Sequence, residues 1–298
     1  MKPAKKQLAV YLALAFALTW GYAFGVIYPM MKTDPSRYTV LTAVCMFFPA
    51  LSMLLTRLLT KEGFGQMLLR PRFKGNIGVY LLAYFGPGVL VLLGAALYFV
   101  LFPANLDAGA GYFRAAMEAA GVPFEAQAVP LKVLFIAQIA QGLLLSGIVN
   151  LIPALGEEWG WRGYMMPRLR ETMKPAPALL LGGVIWGLWH APLIALGHNY
   201  GTGYPGWPWL GIAAMCLFCI AFGVLLTWVT EKTGSCIPAA LAHGALNGIA
   251  GIGAFFTSDG GNPFIGPLPT GIIGGLPLIL AAIPAAIWLM RRKEKTED

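Results

Sequence analysis

Between Lys74 and Asp107 the chain carries no charged residue, and the stretch runs through Val79-Tyr-Leu-Leu-Ala-Tyr-Phe85 and Val89-Leu-Val-Leu-Leu93 without alternating polar positions. About 20 apolar residues of helix cross a hydrocarbon core of about 30 Å. A barrel strand would instead alternate over roughly ten residues. Comparable runs recur along the chain, at 7–30, 38–60, 76–103, 140–166, 178–197, 209–230, 236–256 and 271–290. Composition agrees: 58% of the 298 residues are hydrophobic and 11% are charged, where a soluble domain carries roughly 25% charged residues. The expectation is an all-α, polytopic transmembrane bundle of about eight spans. It divides into 1–129 (spans one to three and a connecting loop), 130–255 (a core of further spans) and 256–298 (the last span and a basic tail).

The first span is longer than the apolar region of a signal peptide and continues through Trp20 and Tyr28, so it reads as an uncleaved anchor. Pro87 is expected to bend the third span, and the basic, partly apolar segment 61–74 to lie on the membrane surface. The long polar connection 104–131 has room for a short helix near 111–120. Trp20, Trp207 and Trp209 suit the membrane interface. Gly183/Gly187 and Gly244/Gly248, each four apart, are expected to bring spans five and seven together. Cys216 and Cys219 form a C-x-x-C pair inside an apolar run, which suits inert packing better than redox or metal chemistry.

The net charge of +8 does not imply nucleic acid, because the basic residues gather in alternate loops and not on one patch. With both termini inside, 17 of the 21 Lys and Arg residues fall on one side; Lys32, Arg37, Arg114 and Lys132 fall on the other. The positive-inside rule then places both termini in the cytoplasm, with the cell membrane as location and the lipid bilayer as partner.

Against this background the ionisable residues stand out, since each costs about 2.5–3.5 kcal/mol at the centre of a span. Glu158 and Arg162 are four apart and can pair on one helix face, while Glu157 points about 100° away and is free for other work. His190 stands on span five, and His243 and Asn247 share a face of span seven. If the fourth span begins at Lys132, the glutamates lie at the far interface; if, as the depth of the histidines favours, it runs from 140 to 166, Glu157 lies roughly 15 Å inside the end marked by Pro167. The six residues would then share a polar cavity in the cytoplasmic half of the bundle, open to the cytoplasmic side. A carboxylate beside a neutral imidazole can activate water, and an imidazole with an amide can hold an oxyanion. No H-E-x-x-H helix is present, and no cofactor or metal is expected. Two other readings remain open: a zinc hydrolase with Glu157, His190 and His243 as ligands, and a non-proteolytic scaffold or immunity protein. His198, in its Gly-His-Asn loop, is expected to bond a carbonyl or face water.

Glu157-Glu158-x-x-x-Arg162, Trp186-x-x-x-His190 and His243-x-x-x-Asn247 resemble the three ordered motifs of the CAAX protease and bacteriocin-processing (CPBP) family over roughly residues 130–255. The fuller strings, Gly156-Glu-Glu-Trp-Gly-Trp-Arg-Gly163 and Gly187-Leu-Trp-His-Ala-Pro-Leu193, look like bacterial members. The resemblance implies an intramembrane glutamate-type endopeptidase, a peptide hydrolase acting on a peptide or membrane protein. In it Glu157 and His190 would activate water, His243 and Asn247 would form the oxyanion site, and Glu158 and Arg162 would orient them. Trp186 stands where the eukaryotic pattern often has Phe and reads as pocket shape. For a bacterial member, processing of or immunity to a bacteriocin-like peptide fits better than a prenylated substrate.

Overall fold

The computed structural model describes residues 3–122 and 129–291; Lys2, Pro123 and the basic tail after Arg291 lie outside the described residues. Eight apolar helical units follow one another: α1 (Pro3–Thr33), α2 (Pro35–Thr60), α3 (Ile77–Leu101), α4, α5 (Pro175–Trp189), α6 (Trp209–Thr233), α7 (Ile237–Ile249) and α8 (Leu276–Arg291). The fourth is broken into α4a (Leu131–Leu144), a single turn Ser146–Val149, and α4b over 151–172. A short helix, Gly111–Ala119, lies in the connection before α4a, where the sequence placed one. Among the described residues five helices are long and apolar enough to cross a membrane, α7 counting with its extension to Phe256, and α4a, α5 and α8 are shorter apolar helices. Leu81, Leu93, Val100, Ile136, Ile152 and Leu217 are each more than half exposed. So much outward apolar surface is tolerable only against lipid. The chain is a multi-pass membrane protein.

Proline explains where the helices are interrupted. A proline has no N–H for the carbonyl four residues back, and its ring crowds that carbonyl. Helix α2 halts at Cys45, four before Pro49. The turn before α4b ends at Val149, four before Pro153. Ahead of Pro29 and Pro167 the helix widens instead of breaking. Tyr28 N–H reaches Ala23 O and Met166 N–H reaches Trp161 O, both five residues back. These are π turns, which let the carbonyl clear the ring. Pro87 and Pro284 sit inside helices that continue through them.

Several expected boundaries shift accordingly. The fourth span neither starts at 140 nor stops at Pro167: its helix breaks near 145–150 and continues to Thr172. The fifth ends at Trp189 rather than 197, followed by a short piece, Ala191–Ala195. Segment 61–74 forms no helix; it is tied to the bundle where Met67 O accepts from the Trp159 indole and Leu68 O from Cys236 N–H.

The glycine pairs make close approaches, but not to each other's helices. A Cβ on Gly183 or Gly187 would stand 2.4–2.5 Å from Cα of Ile220 or Cys216, so α5 packs tightly on α6. Gly244 and Gly248 face Asn150 and Ser146, which joins α7 to the break in α4. Gly156 and Gly160 face the Met46–Pro49 stretch and seat α4b against α2. Among the largest wholly buried side chains are Trp161, Trp186, Trp189, Tyr11, Tyr164 and Phe222. This aromatic core surrounds the carboxylates of α4b.

Candidate active site

Glu157 and Glu158 lie on the last turn of helix before the π turn Trp161–Met165, which carries Arg162. The two carboxylates turn to different partners, as their 100° separation requires. Glu157 Oε2 accepts from the indole N–H of Trp186 at 2.8 Å and of Trp161 at 3.3 Å. Its Oε1 takes no hydrogen bond from any described residue, and Glu157 lines a cavity of about 360 Å³. Glu158, wholly buried, accepts from Arg162 Nη1 at 3.1 Å and from His243 Nδ1 at 2.8 Å.

His190 sits where α5 gives out. Pro192 withholds a donor from Leu188, and His190 N–H turns back to Gly187 O at 3.1 Å. The Trp186 carbonyl accepts instead from the His190 ring, at 2.8 Å to Nδ1. A carbonyl only accepts, so Nδ1 carries the proton and Nε2 keeps a lone pair for the cavity. By the same reasoning the Nδ1 proton of His243 is committed to Glu158, and its Nε2 can donate once the ring takes a second proton, when the two carboxylates Glu157 and Glu158 together face two cations, that ring and Arg162. One turn along α7, Asn247 lines the same cavity and its amide is bonded to no described residue.

The cavity therefore brings together Glu157, His190, His243 and Asn247, while Glu158 and Arg162 stand behind His243 and do not line it. The Glu158–Arg162 pair expected from the spacing is present. Trp186 does more than shape the pocket. Its N–H holds Glu157, its carbonyl holds His190, its face lies 4.1 Å from the Arg162 guanidinium, and His243 meets it edge to face at 5.5 Å. Trp161, four residues after Glu157, was overlooked in the sequence although an i,i+4 donor was there to be read. Asn150, also overlooked, lines the cavity and donates to the carbonyl of Gly244 at 3.3 Å, which anchors the start of α4b beside His243.

His198 corrects an expectation. It neither bonds a carbonyl nor simply faces water: its Nδ1 lies 3.1 Å from the Tyr38 hydroxyl, and its ring runs parallel to His190 at 6.4 Å along the same cavity. Burial lowers this imidazole to about 4. Thr39, His198, Asn199, Pro269 and Thr270 also line the cavity, and no residue of the basic loops 57–74 or 168–174 does.

Cys216 and Cys219 are free thiols, and Cys219 is buried against the cavity wall. Among the described residues no three His, Cys, Asp or Glu side chains stand close enough to share a metal ion, so Glu157, His190 and His243 do not form a ligand set in this arrangement.

Comparison with known proteins meets the same stretch of chain. Residues 139–249 match the Type II CAAX prenyl endopeptidase Rce1-like family. A protein of Methanococcus maripaludis named CAAX prenyl protease 2 is 33% identical over 99 residues, 33% of this chain and 36% of that protein. The match thus spans about a third of the relative's length. All seven motif residues lie within 139–249. This segment is similar to the Rce1-like family, and the three motifs that resemble the CAAX protease and bacteriocin-processing (CPBP) family fall inside it.

Proposed function

We propose that the protein is an intramembrane endopeptidase that hydrolyses a peptide bond with water activated by Glu157 and His190. The observation that carries this reading is the division of labour at Glu157. Two indoles hold one carboxylate oxygen while the other is left for the cavity that His190, His243 and Asn247 also line. A water held between Glu157 Oε1 and His190 Nε2 gives its proton to the carboxylate as its oxygen adds to the scissile carbonyl. The oxyanion takes hydrogen bonds from His243 Nε2–H and the Asn247 amide. The proton on Glu157 then passes to the leaving nitrogen, the C–N bond breaks, and the carboxylate returns to its starting state. For this the His243 ring carries protons on both nitrogens; Glu158 accepts the Nδ1–H and is itself held by Arg162, and neither touches the substrate.

An internal peptide bond suits the lining. Apart from Glu157 and the protonated His243 ring, both engaged in the reaction, no described lining residue bears a formal charge, so no further counter-charge is set there for a terminal carboxylate or amine. The family match supports a protease, and the relative's name attaches prenyl substrates to that protein. For this chain we propose the broader class of extended peptide segments.

Cleavage of a quenched peptide library by the purified protein in ¹⁸O-water tests the reaction. The expected products carry ¹⁸O in the new carboxyl group, and Glu157→Gln slows cleavage by about 10²–10⁴-fold. Cleavage at an unchanged rate in Glu157→Gln would remove the basis of the proposal.

A further inference from the structure

The connections of the bundle form two groups, each held together by its own contacts. In one group Glu62 pairs with Arg168, Leu68 O accepts from Cys236 N–H, and Arg170 pairs with Glu231. In the other Tyr38 meets His198, Tyr200 and Tyr204 pack on Phe264, and Asp107 N–H bonds Phe256 O. The first group is strongly basic: 57–74 and 168–174 alone contain eight Lys and Arg residues. The second contains Lys32, Arg37, Arg114 and Lys132, and its stretches 198–208 and 257–275 contain no Lys or Arg. These two uncharged or acidic stretches, with the start of α2, contribute His198, Asn199, Pro269, Thr270 and Thr39 to the lining of the active-site cavity. Toward the basic side stand buried side chains that do not line it: Glu158, Trp161 and Tyr164 at 0% exposure, Arg162 at 4%, and Ser235 and Cys236 at 0%.

Basic connections stay in the cytoplasm. We infer that the active site opens on the extracytoplasmic side of the membrane, and that its substrate is a peptide segment presented there. Such a segment is an exported peptide or the extracytoplasmic stretch of a membrane protein, in extended, largely uncharged form. The rim of Thr39, His198, Asn199 and Thr270 offers hydrogen bonds without charge, and the deeper wall of Trp186, Phe218, Phe222 and Leu246 offers apolar contact. The sidedness stands on the loops and the cavity alone; the word substrate rests on the peptidase reading above.

Both parts are read in right-side-out membrane vesicles carrying the full chain. Single cysteines are placed at Thr39→Cys and Thr202→Cys near the rim, and at Lys74→Cys and Glu171→Cys at the basic end, with the native chain as blank. A membrane-impermeant maleimide is expected to label the rim positions in sealed vesicles, and the basic-end positions only after the vesicles are opened. The reverse pattern, or labelling of the basic-end positions in sealed vesicles, overturns the inference. A membrane-impermeant quenched peptide added to the same vesicles is expected to be cut, and not in Glu157→Ala vesicles. Cleavage confined to inside-out vesicles overturns the inference while leaving the peptidase reading intact. Rim labelling without cleavage from either side supports the sidedness and counts against the peptidase reading.

Discussion

Glu158 and Arg162 are both nearly inaccessible, at 0% and 4% exposure, and each depends on the other for charge balance. Removing one partner of a buried pair leaves an uncompensated charge and costs about 3–5 kcal/mol, whereas replacing both with apolar groups is often neutral. Glu158→Ala is therefore expected to lower the thermal unfolding temperature sharply, while Glu158→Met with Arg162→Leu recovers stability but not cleavage. A double variant as active as wild type would show that the pair does not orient His243. Trp186→Phe keeps the aromatic volume and removes the N–H on Glu157. A hydrogen bond to a charged group is worth about 1.5–3 kcal/mol, so kcat is expected to fall roughly 10–100-fold with the fold intact. At His198 the folded state holds the imidazole at about 4, below its ordinary 6.5. The unfolded chain therefore binds more protons between those values, and stability falls as pH drops through that window. His198→Gln is expected to flatten that part of the stability–pH curve; an unchanged curve would contradict the burial of this ring.

At the scale of elements, the five interruptions next to Pro29, Pro49, Pro153, Pro167 and Pro192 place the chemistry. The π turn before Pro167 carries Arg162, and the stop before Pro192 frees the Trp186 carbonyl for His190. These prolines were legible in the sequence, yet a proline does not state whether a helix will break, widen or run on, as Pro87 does. Small-residue stripes were legible too, and they report a close approach without naming the partner. Gly183 and Gly187 meet α6, and Gly244 and Gly248 meet the break in α4. On Gly160 a Cβ would lie 2.5 Å from Pro49, whereas on Gly21 it would meet nothing within 4 Å. Gly160→Ala is expected to destabilise by about 1–3 kcal/mol through overpacking, with Gly21→Ala as the matched control. Equal melting temperatures for the two variants would contradict the seating of α4b on α2.

For the whole molecule, the helical membrane architecture and the four residues that meet in the cavity followed from apolar runs and motif spacing. Glu157, His243 and Asn247 each sit on a helix whose register the sequence displays, and His190 stands just past the end of α5. What stayed hidden depended on contacts between distant segments. The Tyr38–His198 bond joins residues 160 positions apart, and the mouth of the cavity is assembled from α2 and two loops with no motif of their own. Glu157 is buried within the bundle, and the segments that complete its cavity come from helices and loops far apart in the sequence. The account as a whole rests on one chemical claim: these four residues hydrolyse a peptide bond without a metal. The most direct test is the cleavage rate of purified protein in liposomes, for wild type, Glu157→Ala and His243→Ala, each with and without a chelator. The account predicts that wild type is indifferent to the chelator, that Glu157→Ala is inactive, and that His243→Ala loses about 10²–10³-fold in kcat. Wild-type activity in both variants, or activity abolished by the chelator and restored by zinc, would contradict it.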